Sequence, residues 1–516
     1  MAADTSKRTP TITDVPTSHT DWQTAVTVAK EDGANAEDLK DEKHVAILNH
    51  GENPPASPRK AHGFPWLLLV TSILMANFLF AIDNTVAANV QPAVVKAFSS
   101  LDKLAWLPIA FFASSWGTNL LWYYGSMAIL TQMTSERERP LYLNLVVITF
   151  GGGTVLGPII GGAFAVSSAT WRWAFYFNLV VGGVCAPVYI FLLPTLNPRP
   201  GQSIKERAIE IDYLGIVLLC GFIVSIVMAI SFGGTEYDWN SGQIIALFVV
   251  AFVLFWLFLA QQAFTIGTTA EHRVFPMHFL KSSTMIVLFL EVACQGVCVF
   301  VPVYFLPLYF QFVKADTAIA AGVRMLPLVA CQTVVAVLAG LLVSKTGYYV
   351  PWFIFTGVLC IAGAALLYTV NQYTSLANIY GYEIMLGLGS GASSQLSFSV
   401  ASIKVSQTDI QRSLGWEAFA QLGGPTIALG IANSVFVNKA QEGIAALLPT
   451  YSRLDISTII SDPNNPLLRN LTRETQDQAV DVVVRSISKA YILCIISGSL
   501  ILVQIFRFKV NSRLYK

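Results

Sequence analysis

Four carboxylic acids stand where the sequence offers them no water. Asp83, Glu291, Glu383 and Glu417 each lie inside a long apolar run, and charge held in hydrocarbon is costly enough to mark function. A carboxyl away from water ionises less readily, so it can take up and release a proton near neutral pH. Asp83, Glu291 and Glu383 are therefore candidates for proton coupling, with a structural hydrogen bond to a neighbouring helix as the alternative. Glu417 is the weakest of the four, because it stands near the start of its run, within reach of a membrane surface. Gln295, Gln311, Gln332, Gln395 and Gln421 could line a cavity or bond one helix to another. Aromatic residues such as Phe305 and Tyr309 suit hydrophobic ligands.

Other chemistry is thin. All seven cysteines lie inside apolar runs, with no disulfide framework and no paired metal-ligand spacing. Cys294 and Cys298 are one helical turn apart but have no His or further Cys in their run, so they read as packing residues. Of the six histidines, His19, His44, His50 and His62 fall in the tail and His272 and His278 in a cytosolic loop, and none lies in a span next to a Ser or Cys nucleophile. No enzyme, metal site or cofactor is expected. Asn470-Leu471-Thr472 is an acceptor sequon for glycosylation, usable only outside the cytosol.

The elements that must hold these groups follow from composition. The chain has 516 residues, 54% hydrophobic and 12% charged, with a mean hydropathy of +0.58. A soluble protein carries about 25% charged residues; this much apolar surface excludes a soluble core. A net charge of +1 leaves no footprint for nucleic acid. Residues 1–62 carry 17 charges and no apolar run, which reads as a disordered cytosolic tail without a cleaved signal.

Twelve apolar segments follow, at about 65–90, 104–131, 141–166, 171–194, 213–233, 242–264, 283–311, 319–344, 350–371, 375–402, 412–437 and 487–507. Their lengths suit helices, not barrel strands. With the N-terminus inside, the cytosolic connections hold 14 basic residues after the tail and the short outer ones five. That asymmetry places both termini in the cytosol. The sequon then falls outside, in the segment 438–486.

The sharpest motif is Gly153-x-x-x-Gly157-Pro158-x-x-Gly161-Gly162 in the third segment. Glycines at helical spacing let another helix approach closely, and Pro158 removes a backbone hydrogen bond. The pattern resembles the antiporter motif of the major facilitator superfamily. Trp171-Arg172-Trp173-x-Phe175-x-x-Asn178, just after it, resembles the start of helix six in the fourteen-helix drug:proton antiporter family. Asp83-Asn84-Thr85-Val86-Ala87-Ala88-Asn89-Val90-Gln91-Pro92 is similar to that family's first-helix signature. Pro307-Leu308-Tyr309-Phe310-Gln311, Gly322-Val323-Arg324-x-Leu326-Pro327 and Tyr380-Gly381-Tyr382-Glu383 with Gly387, Gly389 and Gly391 fit its later helices. The resemblance covers about 65–510 and is nearest to fungal toxin and secondary-metabolite efflux pumps. One departure is Asn144, where the antiporter motif usually opens with Gly.

The family also places a Gly-x-x-x-Asp-x-x-Gly-Arg loop after helix two and an Arg-centred motif in helix four. Neither is present. The chain passes from Asn119-Leu120-Leu121-Trp122, similar to helix two, straight to Gly125-Ser126-Met127-Ala128-Ile129-Leu130-Thr131, similar to the end of helix four. About 50–60 residues are missing near Trp122–Gly125, two helices' worth, while Gly340-x-x-x-Ser344-x-x-Gly347 survives as a weak copy of the loop motif in the second half.

The expectation is therefore an all-α polytopic membrane protein of the major facilitator fold. A tail at 1–62 precedes a truncated N-terminal bundle at 65–194 and a linking region with two extra helices at 195–282. A C-terminal bundle follows at 283–437, then an extracellular loop at 438–486 and a last helix and cytosolic tail at 487–516. The resemblance implies proton-coupled efflux of a small amphipathic molecule through the plasma membrane, with substrate, protons and lipid as partners. Vacuolar or vesicle membranes, a transport-deficient product of a shortened gene model, and a siderophore-type importer are the alternatives.

Overall fold

The computed structural model describes residues 63–98, 125, 129–130, 133–134, 139–193, 203–234, 237–406, 409–461 and 466–505. The tail and nearly all of the segment expected at 104–131 lie outside them. Among the described residues the chain is helical, with no strand beyond one isolated bridge between Gly233 and Tyr237. In order the helices are α1 (Phe64–Phe98), α2 (Arg139–Val166), α3 (Trp173–Leu192), α4 (Ile204–Ile209), α5 (Tyr213–Phe232) and α6 (Gly242–Phe264). Then come α7 (Ser283–Val313), α8 (Ala318–Arg324), α9 (Leu326–Thr346), α10 (Val350–Tyr368), α11 (Leu376–Ser393) and α12 (Leu396–Lys404). The last are α13 (Ile410–Leu447), α14 (Arg453–Ser461), α15 (Pro466–Arg469), α16 (Arg473–Ala490) and α17 (Ile492–Ile505).

Helix starts obey local chemistry. Asp212, Ser241, Ser282, Thr317, Ser375 and Thr472 each accept a hydrogen bond from a backbone N–H of the first turn that follows, satisfying a donor the helix cannot. Ser203 and Glu206 form a reciprocal capping box on α4. At the other end, α9 stops on Gly347, whose φ of +73° a side chain would strain.

Among the described residues ten helical stretches are long and apolar enough to cross a membrane. The segment expected at 375–402 is not one of them. It is broken into α11 and α12, because Ser394 bonds back only three residues to Gly391, while the carbonyl of Ser390 is taken by the Gln295 side chain at 2.9 Å. Glycines let α11 lie against two neighbours. A Cβ on Gly389 would sit 2.9 Å from Leu359 Cβ in α10, and Gly387 and Gly391 meet backbone of α9 around Leu328 and Gln332.

The segment 438–486, expected as a loop, is helical for most of its described length. Helix α13 runs on to Leu447, and α14 and α16 fold back so that Ile444, Leu448, Ile456, Ile460, Val483, Val484 and Ile487 join the main core. Its apolar residues form a stripe among charges (Ala479, Val483, Val484, Ile487), so no apolar run announces them. Elsewhere α1 packs on α2 and α3, α2 on α8 and α9, and α5 on α6 and α13. Helix α7 packs on α13 and α17, and α10 on α11 and α17.

Candidate functional site

Asp83 sits just past the middle of α1, and Asn178 reaches it from α3. The Asn178 amide nitrogen lies 2.8 Å from each carboxylate oxygen. The aromatic start of α3 sets this meeting. Arg172 lies 4.6 Å over the Trp171 ring, and Trp171, Ala174 and Phe175 pack with Ile82, Val86 and Val90 of α1. One turn further Asn178 faces Asp83. Eleven residues further on α3, and eleven earlier on α1, the Tyr189 hydroxyl donates to the Ser72 carbonyl at 2.6 Å. The two helices thus run antiparallel in a fixed register. Among the described residues no basic side chain pairs with Asp83; its partner is a neutral amide. Tyr304 of α7 is near enough to feel the Asp83 charge.

The glycine motif of α2 presses on the same turns of α1. A Cβ on Gly153 would lie 2.7 Å from Ala81 Cβ and from the Phe78 carbonyl oxygen, and one on Gly157 would strike Thr85. Pro158 has no N–H, so the carbonyl of Thr154 loses its helical donor. The Thr85 hydroxyl, which donates to Ile82 O at 3.1 Å, lies 3.5 Å from that freed carbonyl. Helix α2 continues through Pro158. Gly161 and Gly162 are buried on the next turn. On another face of α2, Gly322 of α8 meets the Pro158 backbone, its Cβ position 2.9 Å from the carbonyl carbon, and Gly151 meets Thr333 of α9. Helix α2 is thereby held close to α1 on one face and to α8 and α9, more than 150 residues later in the sequence, on another. Trp173 does not join this contact; it stands exposed against Tyr176.

The remaining candidates are apart from Asp83. Glu291 in α7 is 2% exposed and accepts a hydrogen bond from Ser397 of α12. One turn on, Gln295 holds Ser390 O. Glu383 is fully buried with both oxygens unpartnered, in the helix that carries Tyr380. The Tyr380 hydroxyl accepts from Arg324 at 2.9 Å, and Arg324 pairs with Asp316. Glu383 precedes Ser393 by ten residues, about 15 Å along α11, so it and Glu291 are separate sites. The Tyr309 hydroxyl donates to Asn371 O at 2.9 Å, Gln311 is buried with its amide nitrogen unpartnered, and Gln395 lines a cavity of about 120 Å³ with Gly340, Ser344 and Ser399. Asn470 is exposed. Glu417, ranked low in the sequence, is wholly buried with neither oxygen partnered, because α13 begins at Ile410 and carries it two turns inward.

Sequence reasoning missed a polar network at the end of the α5–α6 hairpin. Buried Asp212 accepts from Gly215 N (2.8 Å), Gln261 (2.9 Å) and Gln262 (2.6 Å). Arg273 lies 3.4 Å from the His278 ring, His278 lies 3.6 Å from Asp409, and Arg412 donates to Asp409 at 2.7 Å and to Glu271 O at 3.2 Å. Burial, with Arg273 and Arg412 close by, holds the His278 imidazole below its usual pKa against the pull of Asp409. The signal available was the clustering of Glu271, Arg273, His278, Asp409 and Arg412 in connections assigned to one side.

Apolar helices that turn carboxylates and amides inward, with glycines where helices touch, define a polytopic membrane transporter. The chain belongs to the major facilitator superfamily: the family's model matches residues 59–429. It is 41% identical to the MFS-type transporter pgmG of Aspergillus terreus, with 89% of this chain and 90% of that protein aligned. It is 37% identical to the efflux pump alnA of Emericella nidulans over 94% of this chain and 97% of that one, and 38% identical to the efflux pump patC of Aspergillus clavatus over 86% and 91%. A bacterial homologue of the human lysosomal transporter Spinster, in an inward-facing and occupied conformation, superposes with a TM-score of 0.51. It is 13% identical and covers 87% of this chain and 98% of its own, which supports the fold. The pgmG alignment is 507 positions long yet spans 89% of 516 residues, so about fifty positions of that relative have no counterpart within the aligned stretch.

Proposed function

We propose that this transporter exports a small amphipathic molecule in exchange for protons, from the cytosol across the plasma membrane, with both termini inside. The observation that carries the reading is Asp83, a carboxylate inside a membrane helix held by a neutral amide. Such a group can exchange a proton without breaking an ion pair, and Asn178 follows by reorienting its amide. The glycines of α2 sit on the turns around Asp83, so a change in the proton there is felt at the α1–α2 contact and, through Pro158 and Gly322, in α8. Rocking of two helix groups about such a contact is the general route to alternating access. The relatives named efflux pumps favour export over import, and the fourteen-helix antiporter family is the subfamily the motifs support. Glu291 and Glu383 are secondary proton candidates, Tyr309, Gln295, Gln311 and Gln395 are cavity candidates, and Asn470 is the glycan acceptor.

The test is uptake of a lipophilic fluorescent dye into inside-out vesicles with an acidic lumen. Uptake is expected to collapse with a protonophore and in Asp83→Asn. Equal uptake with and without the gradient would reject coupling.

A second reading has its own observation, the fifty unmatched positions. The chain would then be a transport-deficient product of a shortened gene model. Sequencing the transcript across codons 120–126 separates the two: an additional in-frame stretch there would make the longer protein the working pump.

A further inference from the structure

Three side chains converge on the Asp409 carboxylate, just before α13. Its Oδ2 accepts from the Ser406 hydroxyl at 3.1 Å and lies 3.6 Å from His278 Nε2, while its Oδ1 accepts from Arg412 at 2.7 Å. The backbone fixes Ser406 against Asp409 as well, Asp409 N donating to Ser406 O at 2.9 Å. Ser406, Asp409 and Arg412 belong to the turn after α12 and the first turn of α13. His278 comes from the connection between α6 and α7, within the turn Met277–Lys281. Arg412 reaches that same connection through Glu271 O at 3.2 Å.

The cluster holds more donors than Asp409 satisfies. Arg273 can only donate and lies 3.4 Å from His278 Nδ1, so that nitrogen accepts and the ring proton sits on Nε2. At 3.6 Å from Asp409 that proton is beyond hydrogen-bond reach. His278 Nε2 and Arg273 Nε are both buried without a hydrogen-bond partner. The charged groups acting on His278 are Asp409, Arg273 and Arg412. Ser406, by contrast, is exposed. An acidic residue stands three positions after it, the local pattern that acid-directed protein kinases read.

We propose that Ser406 is a phosphorylation site and that Arg412, His278 and Arg273 form the cradle that receives its phosphate. In the transfer the Ser406 oxygen bonds to the γ-phosphorus of ATP, the bond from that phosphorus to ADP breaks, and the hydroxyl proton passes to the kinase's base. The product carries close to two negative charges and three strong acceptor oxygens. Beside it the Asp409 carboxylate is repelled, and Arg412 and His278 Nε2 donate to the phosphate instead, in shorter, charge-assisted bonds. The new charge favours the protonated imidazole, so His278 joins Arg412 as a cation. The turn after α12 is thereby clasped to the α6–α7 connection. That a kinase meets this end of the molecule in the cell rests on the cytosolic orientation proposed above; the capture of the phosphate does not.

The test uses the purified full chain in lipid nanodiscs, which leave both faces open, incubated with ATP and casein kinase 2, an acid-directed kinase. Peptide mass spectrometry is expected to place one phosphoryl group on Ser406, absent in Ser406→Ala. A folded protein left unmodified at Ser406 overturns the site. Phosphorus NMR then follows the second ionisation of the phosphate, which lies at about pH 6 when the group is free. In the folded protein it is expected about one pH unit lower, a tenfold preference for the dianion. It should return to about 6 in Arg412→Gln and part of the way in His278→Gln. An ionisation at the free value in the folded wild type, or one that Arg412→Gln leaves unmoved, overturns the cradle. Should Arg412→Gln fail to fold, His278→Gln carries the test alone, and an unmoved ionisation there overturns the cradle equally.

Discussion

Asp83 and Asn178 are ninety-five residues apart, and the only polar link between them is one amide nitrogen shared by two carboxylate oxygens. A hydrogen bond to a charged group is worth about 1.5–3 kcal/mol, and more is lost when the surviving partner is left buried. A double-mutant cycle with Asp83→Ala and Asn178→Ala, read by denaturation in mixed micelles, is expected to give a coupling energy of about 1.5–3 kcal/mol. Asn178→Asp should be worse than Asn178→Ala, because it sets a second carboxylate beside the first with no cation near. Both residues could be named from the sequence, one as a charge in an apolar run and one as the end of an aromatic motif. Their pairing could not, since it depends on the register of α1 against α3. Glu417 was undervalued for the opposite reason: its burial is set by where α13 begins, two turns before Glu417 itself, and by the helices packed around it.

Helix α2 is the element on which the proposed mechanism turns, and its glycines are the tightest contacts of the candidate site. Forcing a methyl into a filled contact costs about 1–3 kcal/mol, so Gly157→Ala is expected to lower thermal stability and dye uptake together. Thr85→Ala in the same chain should recover part of both, because the group that the new Cβ strikes is the Thr85 side chain. No recovery would show that the contact matters for another reason. The spacing of these glycines made the close approach readable; that α1 is the neighbour on one side and α8 on the other was not. Helix α16 was hidden because its apolar stripe alternates with charge and so resembles a loop. Its first cap is the sequon's own threonine, Thr472, which accepts from Thr475 N at 3.4 Å. Thr472→Ala should therefore abolish glycosylation and cost about 1 kcal/mol of stability, whereas Asn470→Gln should abolish it at little cost and Thr472→Ser should keep both. An endoglycosidase mobility shift and a melting curve on each variant check this.

The helical membrane class followed from composition alone, since so little charge and so many long apolar runs leave no soluble alternative, and the family followed from the residues of α1, α2 and α3. What composition could not supply is the completeness of the first half. Two helices with their connections need about fifty residues at some twenty per span. The chain lacks about that many positions relative to pgmG, and its own motifs place the gap between Trp122 and Gly125. An even number of spans removed preserves the side on which every later connection falls, so the charge asymmetry survives and gives no warning of the loss. Packing does not survive so easily. Of α3 only Ala174 is buried, and Leu179, Val184, Ile190 and Phe191 are all more than 70% exposed. Lipid satisfies those side chains, but it cannot position α3, and Asn178 must hold its place against Asp83 through one face of one helix. Inserting the unmatched positions of pgmG between Trp122 and Gly125 is expected to raise the melting temperature and to increase gradient-driven dye uptake by about tenfold, a change of about 1.4 kcal/mol in the rate-limiting barrier. Uptake unchanged by the insertion, at equal amounts of folded protein, would mean that the short form is a working pump and that ten to twelve spans suffice for its cycle.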